Sequence, residues 1–177
     1  LNRKSLSKFF KRLKKNGGQL SYRKVQNSSK KVYEANITLF NAFQKTDYDK
    51  KGKYFLERYI SAHAIMIAFE GIPAIYFNSI FGTSNDEHKY IISGNKRDLN
   101  RYKWNKNRLE NLLKNKTSKE SIYYQRIMNL IFIKKQNKAF HPNAKRENLN
   151  IGKKIFCFKR TSLDKKQIIY NITNLSS

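Results

Sequence analysis

Residues 57 to 101, ERYISAHAIMIAFEGIPAIYFNSIFGTSNDEHKYIISGNKRDLNR, decide how this chain is read. The run AHAIMIAF at 62–69 belongs to a helix predicted from about Tyr54 to Glu70. Its early part is amphipathic and its later part is apolar nearly all round, the pattern of a helix covered on most sides. Gly71-Ile72-Pro73 ends it, because proline cannot continue the amide ladder and biases the residue before it toward extended backbone. Ala74-Ile75-Tyr76-Phe77 then reads as a buried strand, since parallel strands covered on both faces are continuous apolar runs. A long polar loop follows, with Asn85, Asp86, Glu87, His88, Arg97, Asp98 and Arg101 inside seventeen residues. A helix outside, a strand inside and a functional loop at the strand's C-terminal end make the unit of an α/β barrel.

The flanks are read outward from that unit. Leu6, Phe9, Phe10 and Leu13 recur at helical intervals and predict a short basic helix over 3–15, stopped at Asn16-Gly17-Gly18. That helix is either a surface helix packed by one face or a basic arm for RNA or membrane. Residues 19–32 are polar and read as a loop, and 32–40 as extended first and helical after. QKTDYDKKGK at 44–53 is a polar linker. Leu109, Leu112 and Leu113 predict a helix over 107–113. Thr117-Ser118-Lys119-Glu120 fits a capping box with Thr117 as cap, opening a helix to about Lys135 whose basic end suits the dipole. Two β-rich runs, Ile155 to Lys159 and Gln167 to Ile172, joined by a polar turn, predict the first hairpin of a β domain.

The chain has 177 residues, enough for one ordinary domain, and 39% hydrophobic content allows a real core. Its net charge is +26, from 38 Lys and Arg against 12 acidic residues. Nucleic-acid binders show such an excess. Here the lysines are spread over the chain, and Asn, Ile and Lys are abundant together, as an AT-rich coding sequence produces. A solvated basic surface is the plainer reading, and a nucleic-acid partner is not expected. The single Cys157, in the apolar run IFCF, reads as a buried inert thiol and excludes a disulfide within the chain. A reducing, cytoplasmic setting is expected from it. No stretch reaches the roughly 18 apolar residues that span a bilayer, so no membrane partner is expected. His63, His88 and His141 lie far apart without ligand spacing, so no metal and no cofactor is expected. His63 reads as a satisfied core or boundary histidine. The N-terminus lacks a signal peptide's apolar core, and the first residue is Leu, so the chain is expected to begin inside a longer protein.

Five stretches carry a resemblance: NGGQLSY at 16–22, YEANIT at 33–38, AHAIMIAFEGIPAIYFNSIFGTSND at 62–86, NKRDLNR at 95–101 and AFHPNA at 139–144. In this order and spacing they resemble the sucrose-phosphorylase-like branch of the α-amylase superfamily, glycoside hydrolase family 13. The resemblance implies an α/β fold: the C-terminal portion of a (β/α)8 barrel, with its last helix–strand–helix units, then the start of a small β domain. Residues 1–137 would hold the barrel part, including an acceptor-loop segment at 19–38, and 138–177 the β domain. It also implies a site. Arg97 stands where the family's arginine holds the nonreducing glucosyl unit, and a guanidinium suits vicinal hydroxyls. Tyr33 and Glu34 lie in the acceptor segment, and Glu34 stands where sucrose phosphorylases often have Gln, a change that would repel phosphate. Asn85 and Asp86 would anchor the loop near the site, with Asp98 and Arg101 bracing it.

Retaining glycosyl transfer needs two carboxylates about 5 Å apart, as nucleophile and acid/base. In this family they come from strands four and five, and a third carboxylate comes from strand seven. None of the matched stretches contains them, so no catalytic residue is assigned, and the chain is expected to be a C-terminal part, inactive alone. Its parent would be a glucoside phosphorylase transferring glucose to phosphate with retention, on sucrose, sucrose phosphate or glucosylglycerate. Glucoside and phosphate would bind only with the missing barrel half, which an N-terminal half-barrel polypeptide could supply. The rival readings are a basic nucleic-acid-binding module, supported by interleaved aromatics such as Tyr102-Lys103-Trp104, and a non-functional gene remnant.

Overall fold

Helix α3, Phe55–Ala68, occupies the predicted place in the computed structural model, which describes residues 2–25 and 28–176. Tyr59, His63 and Ile67 recur at i, i+4 and i+8 and are almost fully buried, so one stripe of α3 faces the core. Two flanking helices complete that core: α2, Leu39–Phe43, and α7, Lys119–Gln136. Phe40, Tyr59, Tyr123 and Ile127 form its centre. The aromatic rings meet edge to face, Phe40 with Phe55 at 4.5 Å and Tyr59 with Tyr123 at 5.0 Å between centroids, the arrangement their quadrupoles favour. Gly82, at φ +58°, passes so close that an added Cβ would sit 2.9 Å from the Tyr123 ring.

Before α2 come the basic helix α1, Arg3–Lys15, and two strands, β1, Gln19–Val25, and β2, Ser28–Asn36. The strands pair antiparallel, so the loop expected over 19–32 is corrected to a hairpin. Leu20 and Tyr22 alternate there with Ser21 and Arg23, a period of two that a high polar content conceals. After the core helices come β3, Lys145–Leu149, β4, Ile155–Thr161, and β5, Ile168–Asn174, an antiparallel sheet with β4 in the middle. The expected hairpin is present, with β3 added to it, and Cys157 is buried and reduced. Phe158 packs with Phe140 and Ala68 and so seats the sheet on the end of α3.

The stretch after α3 differs from expectation. No strand ladder forms over 74–77 among the described residues; α4, Phe77–Ile80, begins there instead. Ile72, Tyr76 and Phe77 are exposed rather than covered. A strand is defined by its hydrogen-bond partners, and the described residues offer this one none. The expected long loop is also partly helical, with α5, Glu87–Ser93, and a 3-10 turn at Lys96–Asn100. Helix α6, Lys106–Lys114, falls as predicted. At α7 the cap is Ser118, which accepts from Ser121 N, while the Thr117 hydroxyl donates to Asn115. The cap thus lies one residue later than expected and puts Ser121 rather than Glu120 at the third helical position, so the expected capping box is replaced by a simple serine cap.

Two cations close the C-terminal end of α3. Lys134 Nζ donates to the Ile67 and Phe69 carbonyls at 2.8 and 3.3 Å. Arg160 Nη1 donates to the Ala68 carbonyl at 2.6 Å, and Nη2 to His141 and Ala144. Arg160 is fully buried, and that burial pushes its pKa down. Replacing it removes the donor to three carbonyls, of which those of Ala68 and Ala144 are buried. Arg160→Met is therefore expected to lower stability by about 3 kcal/mol, read as a drop in the urea midpoint. His63 gives a pH signature. Burial lowers its pKa, its Nδ1 lies 2.9 Å from the Tyr59 carbonyl, and its Nε2 has no partner among the described residues. The unfolded state then binds more protons below about pH 6.5, so stability is full above that pH and declines as pH falls through it. His63→Gln is expected to flatten that decline, measured as urea midpoints at pH 7.5 and 5.

Candidate functional site

The loop after α4 is tied down from several directions. Asn85 Oδ1 accepts from Thr38 N at 2.8 Å, its Nδ2 donates to the Gly17 carbonyl at 3.2 Å, and its own amide donates to Asn41 Oδ1 at 2.9 Å. One residue thus joins the end of α1, the segment after the hairpin and the start of α2, through its side chain and its own amide. Asp86 caps α5, accepting from Lys89 N at 3.0 Å, and its amide donates to the Leu99 carbonyl at 2.7 Å. Asp98 pairs with Lys89 at 2.9 Å, and the Lys89 hydrogen bond holds its carboxyl below the usual range, with Ser93 adding to it. The Arg101 amide donates to the Asp98 carbonyl at 3.4 Å, and its side chain is exposed. Lys96 Nζ donates to the Leu20 carbonyl at 2.7 Å.

These ties set Arg97 against the hairpin. Its Nε donates to Glu34 Oε2 at 3.2 Å, across 63 positions of sequence. The Glu34 carboxylate raises the Arg97 pKa first, and Tyr33 adds to it. The Glu34–Arg97 pair is open to solvent, and Tyr33 beside it is half exposed. The structure therefore brings Tyr33, Glu34 and Arg97 together, while Asn85, Asp86 and Asp98 hold the backbone that carries Arg97. Lys96 and Asn41 complete the framework and were not singled out in the sequence; the Thr38-x-x-Asn41 cap is the signal that marks Asn41.

Below the loop lies a cavity of about 350 Å³. Tyr59, Tyr76, Asn78, Thr83 and Asn100 bring polar atoms to its wall. Asn100 Oδ1 is buried and has no partner among the described residues. Tyr59 donates to the Ser79 carbonyl at 2.6 Å, and burial pushes its hydroxyl pKa far up. Nine of the twelve acidic side chains sit in ion pairs. Those whose pKa moves, Asp47, Asp49, Glu70, Asp98 and Asp164, all move down, chiefly through a donated hydrogen bond. A general acid needs the opposite shift. Among the described residues, no three of His, Cys, Asp and Glu gather as metal ligands, and no helix is long and apolar enough to cross a membrane.

No family model matches the chain. It is 33% identical over 112 residues to a glucosylglycerate phosphorylase of Allomeiothermus silvanus, a match covering 63% of this chain and 20% of that protein. The glucosylglycerate phosphorylase of Escherichia coli is 28% identical over 131 residues, covering 74% of this chain and 23% of the relative. That of Spirochaeta thermophila is 24% identical over 164 residues, covering 93% and 27%. The chain thus spans about a fifth to a quarter of the length of the curated relatives it matches. The crystal structure of sucrose 6F-phosphate phosphorylase from Thermoanaerobacter thermosaccharolyticum matches in fold, with TM-score 0.67 and 18% identity over 98% of this chain and 35% of that one.

Two substitutions separate framework from exposed pair. Asn85→Ala removes the acceptor of the Thr38 amide and the donor to Gly17, and is expected to lower stability by about 2 kcal/mol and speed hydrogen exchange at Thr38. Glu34→Gln, in a solvent-exposed pair, is expected to leave the urea midpoint unchanged.

Proposed function

We propose that this chain, a homologue of the glucosylglycerate phosphorylases in the sucrose-phosphorylase-like branch of glycoside hydrolase family 13, forms part of a barrel whose catalytic carboxylates lie outside these 177 residues. The observation that carries this reading is the convergence of the 19–36 hairpin and the 85–101 loop on Arg97. Glu34 takes the Nε edge of the guanidinium, which leaves the terminal amino groups for the hydroxyls of a glucosyl unit. Arg97 stays charged throughout, so it serves binding and orientation rather than proton transfer. Its positive charge also offsets the Glu34 carboxylate, which alone would repel phosphate. Asn85, Asp86, Asp98 and Arg101 fix the loop that presents it.

In this reading residues 1–137 are the last helix–strand–helix units of a (β/α)8 barrel, and 138–177 open a small β domain. Ala74 to Phe77 becomes a barrel strand when neighbouring strands supply its ladder. The transferred glucose passes through a covalent intermediate on a carboxylate of the other part and reaches phosphate with retention. Asp47, Asp49, Glu70, Asp98 and Asp164 all have lowered pKa values, the opposite of what a general acid needs, which supports placing that chemistry elsewhere.

The test is glucose 1-phosphate release from glucosylglycerate and phosphate. The purified chain is expected to give none above buffer. Co-expression with the remaining part of a relative is expected to give turnover, and Arg97→Ala to remove it. Turnover by the chain alone would overturn the assignment of catalysis to other residues.

A further inference from the structure

Residues 2–36 hold eleven Lys and Arg against one carboxylate, Glu34, and Glu34 is engaged by Arg97. Cations spread along the sequence are thus gathered in space by the packing of α1 on the hairpin. Between the two lies a groove of about 350 Å³. Arg3, Lys11 and Lys14 stand along its helix wall, and Leu20, Tyr22 and Val32 along its strand wall. The three cations are exposed and have no carboxylate partner among the described residues; the ion pairs of α1 are made by Lys8 and Arg12 with Asp47. Lys96, which is not part of the lining, has its ammonium 5.9 Å from the centre of the Tyr22 ring.

The arrangement opposes the helix's own stability. The first turn of α1 holds Arg3 and Lys4 and no acid, the wrong sign for a helix N-terminus. An anion in the groove relieves both that repulsion and the repulsion among the cations.

We propose that this groove binds a single strand of nucleic acid, with the cations on phosphates and Tyr22 under a base. Three features favour that occupant over an anionic membrane. The row from Arg3 to Lys14 is about 16 Å long and tracks a backbone rather than a single phosphate group. Tyr22 is about half exposed on the hairpin, as a stacking platform requires. The apolar face that a membrane helix would insert is partly spent inside the chain, with Leu13 buried and Phe10 half-buried. This function stands apart from the phosphorylase reading and does not depend on it.

The experiment is fluorescence anisotropy of a labelled 20-nucleotide uridine oligomer with the full 177-residue chain, from 50 to 200 mM NaCl. Three phosphate contacts give a slope of log K against log salt near about −2. Lys11→Gln with Lys14→Gln is expected to make that slope shallower by about 1.4. Tyr22→Ala is expected to cost about tenfold in affinity with the slope unchanged. Lys116→Gln with Lys154→Gln, exposed lysines outside the groove, is expected to change neither. The proposal is overturned if the oligomer fails to bind, if the outside pair weakens binding as much as the groove pair, or if phosphatidylserine vesicles displace the oligomer.

Discussion

The last carbonyls of α3 point toward parts of the chain far away in sequence, and two cations meet them there. Lys134 comes from α7 and Arg160 from the middle strand of the sheet. Burial disfavours both charges, and the carbonyls repay part of that cost because a helix C-terminus is the negative end of its dipole. The geometry does more than cap a helix. It fixes the rotation of α3 about its axis, which puts Tyr59 against Tyr123 and leads Gly71 back toward Pro142, where its amide donates at 2.9 Å. Arg146 adds to the same corner by lying over the Phe69 ring and pairing with Glu70. The helical core and the β-sheet meet at this corner, which carries one fully buried cation, Arg160, beside the half-buried Lys134.

Much of the helical scaffold was legible in the sequence because helix signals are local. The Leu6–Leu13 spacing, the apolar half of α3 and the three leucines of α6 need no distant partner to declare themselves. The errors share one cause. The 19–36 hairpin is a polar ribbon whose alternation shows only in Leu20 and Tyr22, and its pairing is set by contacts with α1 and the 85–101 loop. The Ala74–Phe77 run has strand composition but no ladder among the described residues. Composition reports what a segment could do, and pairing decides what it does. Both partners of the Glu34–Arg97 contact could be named from the sequence, though not their pairing. Their hydrogen bond spans 63 positions, and no local pattern encodes that. Lys96 escaped notice for the same reason: its partner is a backbone carbonyl, which leaves no trace in residue type.

The charge is distributed with more structure than its total implies. Nine of the twelve acidic side chains sit in ion pairs, and some also hold a turn, as Asp49 does by accepting from Lys53 N, Tyr54 N and Arg58. With 38 cations against 12 acids, this leaves a large uncompensated remainder. Seven of the cations lie on α1, and the helix tolerates them because Asn2 caps its start and Arg12, Lys14 and Lys15 suit its end.

The open run from Ile72 to Tyr76 bears on how the molecule behaves in bulk. An extended apolar segment without a ladder is a template for a strand from another copy, and templated pairing is a second-order process. Its rate grows with protein concentration, whereas local unfolding does not. Opposing it is the +26 charge, a repulsion that acts over about 10 Å at 0.1 M salt and over only a few Å at 1 M. The colloidal lifetime of the chain is therefore governed by ionic strength and concentration together, and dilute, low-salt solutions are where it stays dispersed.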